Sequence, residues 1–214
     1  MKQIRVISIA LLAGALMGCA STSGGTAAGT VQAGVGTDGR TALTQSMRKL
    51  WADHVIWTRE YIVAATAGHP SAQAASVRLL KNQEDIGNAI APFYGTTAGT
   101  QLADLLKQHI LIAVDLVTAA KAGDNAKQTD ADKRWHDNAA EIATFLSNAN
   151  PHWPRQTLLD MLNQHLTLTT QEAVARLQQR WADDAATFDQ IFEQAMMMAD
   201  ALSTGIAKQF PNKV

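Results

Sequence analysis

Three side chains in this sequence, His54, His109 and Asp184, are of types that do chemistry and yet fall inside runs of apolar residues at helical spacing. At about 100° per residue, Leu43, Met47, Leu50, Trp57, Thr58, Tyr61 and Ala65 share a helix face with His54 at its centre. Leu102, Leu105, Ile112, Ala113 and Leu116 flank His109 in the same way. Asp184 falls among Leu177, Trp181, Phe188, Ile191, Ala195 and Leu202. Two amides repeat the pattern, Gln83 among Leu79, Ile86, Ile90 and Phe93, and Asn138 among Trp135, Ile142 and Phe145. Two imidazoles and a carboxylate form a ligand set for a divalent metal ion, and helical bundles hold such ions in their cores. In that reading Gln83 and Asn138 orient the ligands by hydrogen bonding. Burying these groups unpaired costs about 1–3 kcal/mol each. The alternative is therefore a closed network in which they satisfy one another and ordered water, with no ligand at all.

Three tryptophans bear on the same layer. Trp51-Ala52-Asp53-His54, Trp135-His136-Asp137-Asn138 and Trp181-Ala182-Asp183-Asp184 share the order Trp, any residue, Asp, polar residue. Each indole lies one turn before the polar group, where it can cover the layer and direct its N–H into it; a duplicated helical hairpin would explain the recurrence. His165 shares a stripe with Leu158, Met161 and Leu162 and either reaches the layer or simply packs. Met196-Met197-Met198 reads as core filling, because successive helical side chains diverge and three adjacent thioethers cannot meet at one ion. His152 and Trp153 stand between two prolines in a stiff loop. Catalytic signatures are missing from the sequence: no Glu-x-x-His, no His-Glu-x-x-His, no Walker loop and no Gly-x-Ser-x-Gly.

The elements that must position these residues are helices. Periodicity of 3.6 predicts them at 42–66, 71–93, 98–122, 126–148, 155–167 and 170–208, and alternating β-branched runs are missing. Breaks fall at Gly68-His69-Pro70, Phe93-Tyr94-Gly95, Gly123-Asp124 and 150–154. Asp124 and Thr169-Thr170 are N-cap candidates. Short connections between long helices imply antiparallel neighbours, so the expected fold is all-α: an up-and-down four-helix-type bundle with an additional short helix. His54, His109 and Asn138 each stand 11 or 12 residues into their expected helices, and Gln83 and Asp184 stand 12 and 14 residues in. A polar layer at one height follows.

The N-terminus carries a different kind of chemistry. Lys2 and Arg5 precede the apolar run Val6 to Leu12 and the small residues Ala13-Gly14-Ala15, the layout of a secretory signal. The stretch ends in Leu16-Met17-Gly18-Cys19, which resembles the lipobox of bacterial lipoproteins. That resemblance implies cleavage before Cys19 and lipidation of its sulfur and new amino group, a multi-chain and hence stable membrane anchor. Ala20 stands where an inner-membrane retention signal carries Asp, so the periplasmic face of the outer membrane is expected. Cleavage of residues 1–18 removes two cations and no acid, taking the formal net charge from −1 to −3, which gives no footprint for nucleic acid. Cys19 is the one cysteine, so neither a disulfide nor a thiolate metal site is available. Residues 19–41 are Gly, Ser, Thr and Ala with few bulky apolar side chains and read as a tether of roughly 25 Å average reach. The bundle domain is expected over 42–214. Gly34-x-Gly36-x-x-Gly39 matches a dinucleotide fingerprint in form only, with no βαβ unit around it.

From about residue 47 onward the chain resembles a family of small all-helical bacterial proteins, through LWADHVIWTREYI, RLLKNQEDIGNAIAPFYG, LLKQHILIAVDLVTAAKAGD, FLSNANPHWP, HLTLTTQEAVARL and GIAKQFPNK. Members carry labels such as glycosyltransferase or acetylglutamate kinase, chemistries that normally use a parallel sheet and a phosphate loop this sequence lacks. The resemblance implies the all-α fold and no mechanism. The sequence thus predicts a membrane-anchored envelope lipoprotein with a metal ion or small ligand at its central layer, or else a structural or interaction module whose layer is only a hydrogen-bond network.

Overall fold

The computed structural model describes residues 35–214. The signal segment, Cys19 and the expected tether up to residue 34 lie outside the described residues. Six helices follow one another: α1 (Val35–Ala67), α2 (Ser71–Tyr94), α3 (Thr96–Ala122), α4 (Asn125–Ala149), α5 (Arg155–Leu177) and α6 (Trp181–Gln209). No strand occurs among the described residues, and the protein is the all-α bundle that the periodicity predicts. Each helix packs on the next and α6 returns to α1, so the six close into a ring, with α1 also touching α3 and α5.

Two differences from the expected elements matter. Helix α1 begins at Val35, seven residues before the expected domain start and inside the expected tether. More consequentially, α5 is a full helix of 23 residues and not a short addition, so the bundle has six long helices. Thr169-Thr170 does not cap anything. Both lie within α5, and Thr169 is buried. The break comes at Gln178-Gln179-Arg180, a turn without glycine or proline and therefore without a signal in the sequence.

That turn reveals how the bundle is made. Gly68, Gly123 and Gln179 all adopt the left-handed conformation, with φ of 72°, 68° and 57°. Each ends its helix in a Schellman arrangement. The N–H of Gly68 donates to Ala65 O and that of His69 to Ala64 O; Gly123 and Asp124 repeat this onto Ala120 and Ala119, and Gln179 and Arg180 onto Arg176 and Ala175. The three residues lie 14 positions after His54, His109 and His165. The chain is thus three helical hairpins of one design, α1–α2, α3–α4 and α5–α6, with a period of 55 to 56 residues. Asp124 caps α4 as expected, accepting from Lys127 N. Gln179 holds a conformation that costs an L side chain about 1–2 kcal/mol. We expect Gln179→Gly to raise stability by up to about 1 kcal/mol, since glycine's greater unfolded freedom offsets part of the gain. Thermal unfolding of the two proteins checks it.

Hairpin packing repeats as well. Counting from Asn82, Asn138 and Gln194, the residue four further on is Ile86, Ile142 or Met198, and five further on Gly87, Ala143 or Ala199, all buried. Small residues at the second position let helices close in. A Cβ on Gly87 would strike the Gly99 carbonyl oxygen, which is why α2 and α3 meet through two glycines. Most of the main core lies on the side of the histidines away from the three Schellman turns, with Leu116, Ala131 and Leu168 extending it past them, and a smaller cluster of Tyr61, Ile62, Ala75, Val117 and Ala173 lies on the turn side.

Candidate functional site

Between the two apolar regions sits a layer of imidazoles and amides, one set from each hairpin. His54, His109 and His165 are 3–4% exposed. In two hairpins the chemistry is identical. His109 Nδ1 meets Asn138 Oδ1 at 2.8 Å and His165 Nδ1 meets Gln194 Oε1 at 3.2 Å, each across 29 residues. The amide nitrogens are anchored in turn: Asn138 Nδ2 donates to Leu105 O at 3.2 Å and Gln194 Nε2 to Met161 O at 2.9 Å. Both carbonyls lie four residues before the histidine. A carbonyl therefore fixes the amide, the amide oxygen takes the Nδ1 proton, and the Nε2 edge of each ring is left as an acceptor.

The first hairpin divides the same work between two residues. Asn82 Nδ2 donates to Leu50 O at 3.0 Å, the equivalent anchor, while Gln83 contacts the ring. Gln83 Nε2 donates to Leu79 O at 2.8 Å and Asn82 Oδ1 at 3.2 Å and lies 3.3 Å from His54 Nδ1. With both amide hydrogens directed to those two oxygens, the His54 contact is the longest of the three, and this ring lacks the amide-oxygen acceptor that the other two have. Gln83 Oε1 is left buried without a partner. No Nε2 of the three rings has a hydrogen bond within the protein.

The three rings line one cavity of about 40 Å³, walled mainly by aliphatic side chains such as Leu79, Ile110 and Val117. Thr169 also lines it, and its buried hydroxyl has no partner. The His54 and His165 ring centroids are 5.7 Å apart. Burial holds all three imidazoles in the neutral form: His109 is pushed down to about 3, His165 to about 4, and His54 well below the ordinary range, with the other two rings adding to its burial. Among the described residues, no three His, Cys, Asp or Glu side chains stand in a ready-made coordination shell.

Of the residues singled out from sequence, His54, Gln83, His109 and Asn138 meet in this layer. Asp184 does not. Because α6 starts at Trp181, Asp184 falls in its first turn rather than mid-helix, and its carboxylate is taken by Arg59 (2.9 and 3.1 Å) and Arg176 (2.9 Å). Arg59 also holds Glu172, 1% exposed, whose carboxyl burial pushes up to about 7 against the pull of Arg59. Trp51 and Trp135 do cover the layer, their rings 5.4 Å from His54 and 5.2 Å from His109. Their indole N–H groups, however, find no acceptor. Trp181 is 55% exposed and stacks under Arg176 instead. Its Trp-x-Asp match is a coincidence of composition that set first helices against second helices. The repeat that exists was readable in the intervals between His54, His109 and His165. No family model matches the chain, and neither the curated proteins nor the solved structures contain a match to it.

Proposed function

We propose that this chain is a lipid-anchored protein of the cell envelope whose bundle binds a small ligand in the three-histidine chamber. One observation carries the ligand reading: three hairpins each deliver one neutral imidazole, tethered through Nδ1, to a single small cavity. Polar groups placed only to fix helix register would be expected to consume one another's hydrogen bonds. Here the three rings and Thr169 line one space, and neither the Thr169 hydroxyl nor any ring Nε2 has a hydrogen bond within the protein. The anchor rests on Leu16-Met17-Gly18-Cys19 and the signal before it. No described helix is long and apolar enough to cross a membrane, so attachment in this reading runs through Cys19 alone, at the periplasmic face of the outer membrane.

Native mass spectrometry of the protein extracted from its own envelope tests both parts. The expected mass is that of residues 19–214 with three acyl chains plus a small dissociable adduct. The adduct disappears when His54, His109 and His165 are all replaced by leucine. A chain that carries lipid but no adduct, and that gains stability in the leucine variant, would instead support the register reading. For the anchor, Cys19→Ala should leave an unprocessed or released protein that takes up no labelled palmitate.

A further inference from the structure

The charges of the bundle are not spread evenly along it. Segments 39–52, 86–103, 142–159 and 201–214 contain no aspartate or glutamate, and they carry six cations: Arg40, Arg48, Lys49, Arg155, Lys208 and Lys213. The fold gathers the four segments at one end, where α1 begins, α2 passes into α3, α4 passes into α5, and α6 finishes. Hydrogen bonds cross that end. Tyr94 Oη donates to Gln209 Oε1 at 2.9 Å, Asn150 Nδ2 to Tyr94 Oη at 2.8 Å, and Lys213 Nζ to Pro92 O at 2.8 Å. Against the six cations stand only Asp38 and the terminal carboxylate of Val214, whereas the rest of residues 19–214 holds ten Lys and Arg against eighteen Asp and Glu. One end of the bundle is thus basic and the remainder acidic. At the border, Asp200 holds Arg48 and Asp53 holds Lys49. Arg40, Arg155, Lys208 and Lys213 are exposed and form no ion pair among the described residues.

We propose that this basic end docks on a bilayer rich in anionic phospholipid, an inference that rests on the anchor reading above. Reach decides which end meets the lipid. Cys19 precedes Val35 by 16 residues, and a tether of that length averages about 24 Å. The 33 residues of α1 run about 50 Å. A tether shorter than the bundle keeps the start of α1 near the membrane and leaves the three Schellman turns facing away. Four exposed cations then meet phosphodiester charge, each strengthening the attraction about fivefold within the screening length. The acidic remainder is repelled by the same surface. The lipid chains hold the protein at the bilayer, and the cations stand the bundle upright on it.

The test uses the full lipidated chain in lipid nanodiscs, zwitterionic or with about one-third phosphatidylglycerol. Cys19 is the one cysteine and its sulfur carries lipid, so Thr97→Cys at the basic end and Ala126→Cys at the other each accept a single fluorophore, read by quenching from headgroup-labelled lipid. Quenching at position 97 should be at least about twofold stronger in the anionic discs. It should fall to the zwitterionic level in about 0.5 M salt, where the screening length is about 4 Å. Position 126 should stay unquenched. Replacing Arg40, Arg155, Lys208 and Lys213 together by glutamine should remove the dependence on anionic lipid with the melting temperature unchanged, and the salt arm reads the same dependence in the unaltered cations. Equal quenching in the two discs, insensitivity to salt, or stronger quenching at position 126 would each overturn the docking surface and leave the anchor standing. A chain whose mass shows no lipid, but which sediments with anionic vesicles until the four cations are replaced, would overturn the anchor and leave the surface. If neither lipid nor sedimentation is found, both fall.

Discussion

Protein taken from pH 7 to pH 5 is expected to lose about 2 kcal/mol or more of unfolding free energy. In the unfolded chain His54, His109 and His165 have the ordinary histidine value of 6.5; in the fold, burial lowers His109 to about 3, His165 to about 4 and His54 well below its ordinary value. Stability from a depressed histidine is complete above the unfolded value and is lost on acidification toward the folded one. At pH 5 that amounts to about 2 kcal/mol each for His109 and His165, or about 4 kcal/mol together, and His54 acts in the same direction. Glu172 acts in the opposite direction. Its carboxyl rises from 4.5 to about 7 in the fold, so the native state holds a proton the unfolded chain has released, and acidification across that window returns about 2 kcal/mol. Denaturant titrations at pH 7, 6 and 5 read the balance. Glu172→Gln should steepen the acid loss, and replacing the three histidines by leucine should abolish it. A flat profile in the unaltered protein would mean that the imidazoles are not buried neutral.

Arg59→Met is expected to cost about 3–5 kcal/mol, the usual consequence of removing one partner from a buried ion cluster. Arg59 makes the ion pair with Glu172, to which Arg176 adds a weaker attraction, and shares Asp184 with Arg176, while its guanidinium lies 4.6 Å over the Phe188 ring. Without it, Glu172 keeps no opposite charge within bonding distance and can relieve its burial only by taking a proton. The deficit should therefore be larger at pH 8 than at pH 6. A compensating Arg59→Met, Glu172→Leu double substitution should recover most of the loss, because it removes the stranded charge along with its partner. If Arg59→Met costs under about 1 kcal/mol, or the double variant is no better than the single, the cluster is not what joins α1 to α5 and α6.

How far the sequence discloses this arrangement can be followed residue by residue. The helices at 71–93, 98–122 and 126–148 are legible because glycine, proline or Asp124 punctuates them and the apolar stripes are clean; the structure moves their ends by two residues or fewer. His54, Gln83, His109 and Asn138 are legible as one layer for the same reason. What fails is the third hairpin, and the cause is Gln179. Glutamine in a left-handed position carries no turn signal while Thr169-Thr170 has the form of an N-cap, so the sequence reading ends α5 at residue 167, moves His165 from mid-helix to a helix end and moves Asp184 from a first turn to a helix centre. One unmarked turn thus exchanges the third imidazole for a carboxylate. The interval of 14 residues from each histidine to its left-handed residue would have located the turn, but only once the three hairpins had been aligned.

The Schellman turns and the anchored amides explain why the three imidazoles arrive at one height. In each hairpin the distance from turn to histidine is the same; in the second and third a carbonyl four residues back sets the amide that holds the ring, and in the first the equivalent carbonyl sets Asn82, beside the Gln83 that contacts the ring. Each ring is thus tethered on its Nδ1 side, and its Nε2 has no hydrogen bond within the protein.

The most direct measurement is a high-resolution crystal structure of protein purified from its own envelope, with anomalous data. We predict ordered density for a small ligand in the chamber, within reach of His54, His109 and His165 together. Water molecules alone, at hydrogen-bond distance from the rings and from Thr169, would contradict it.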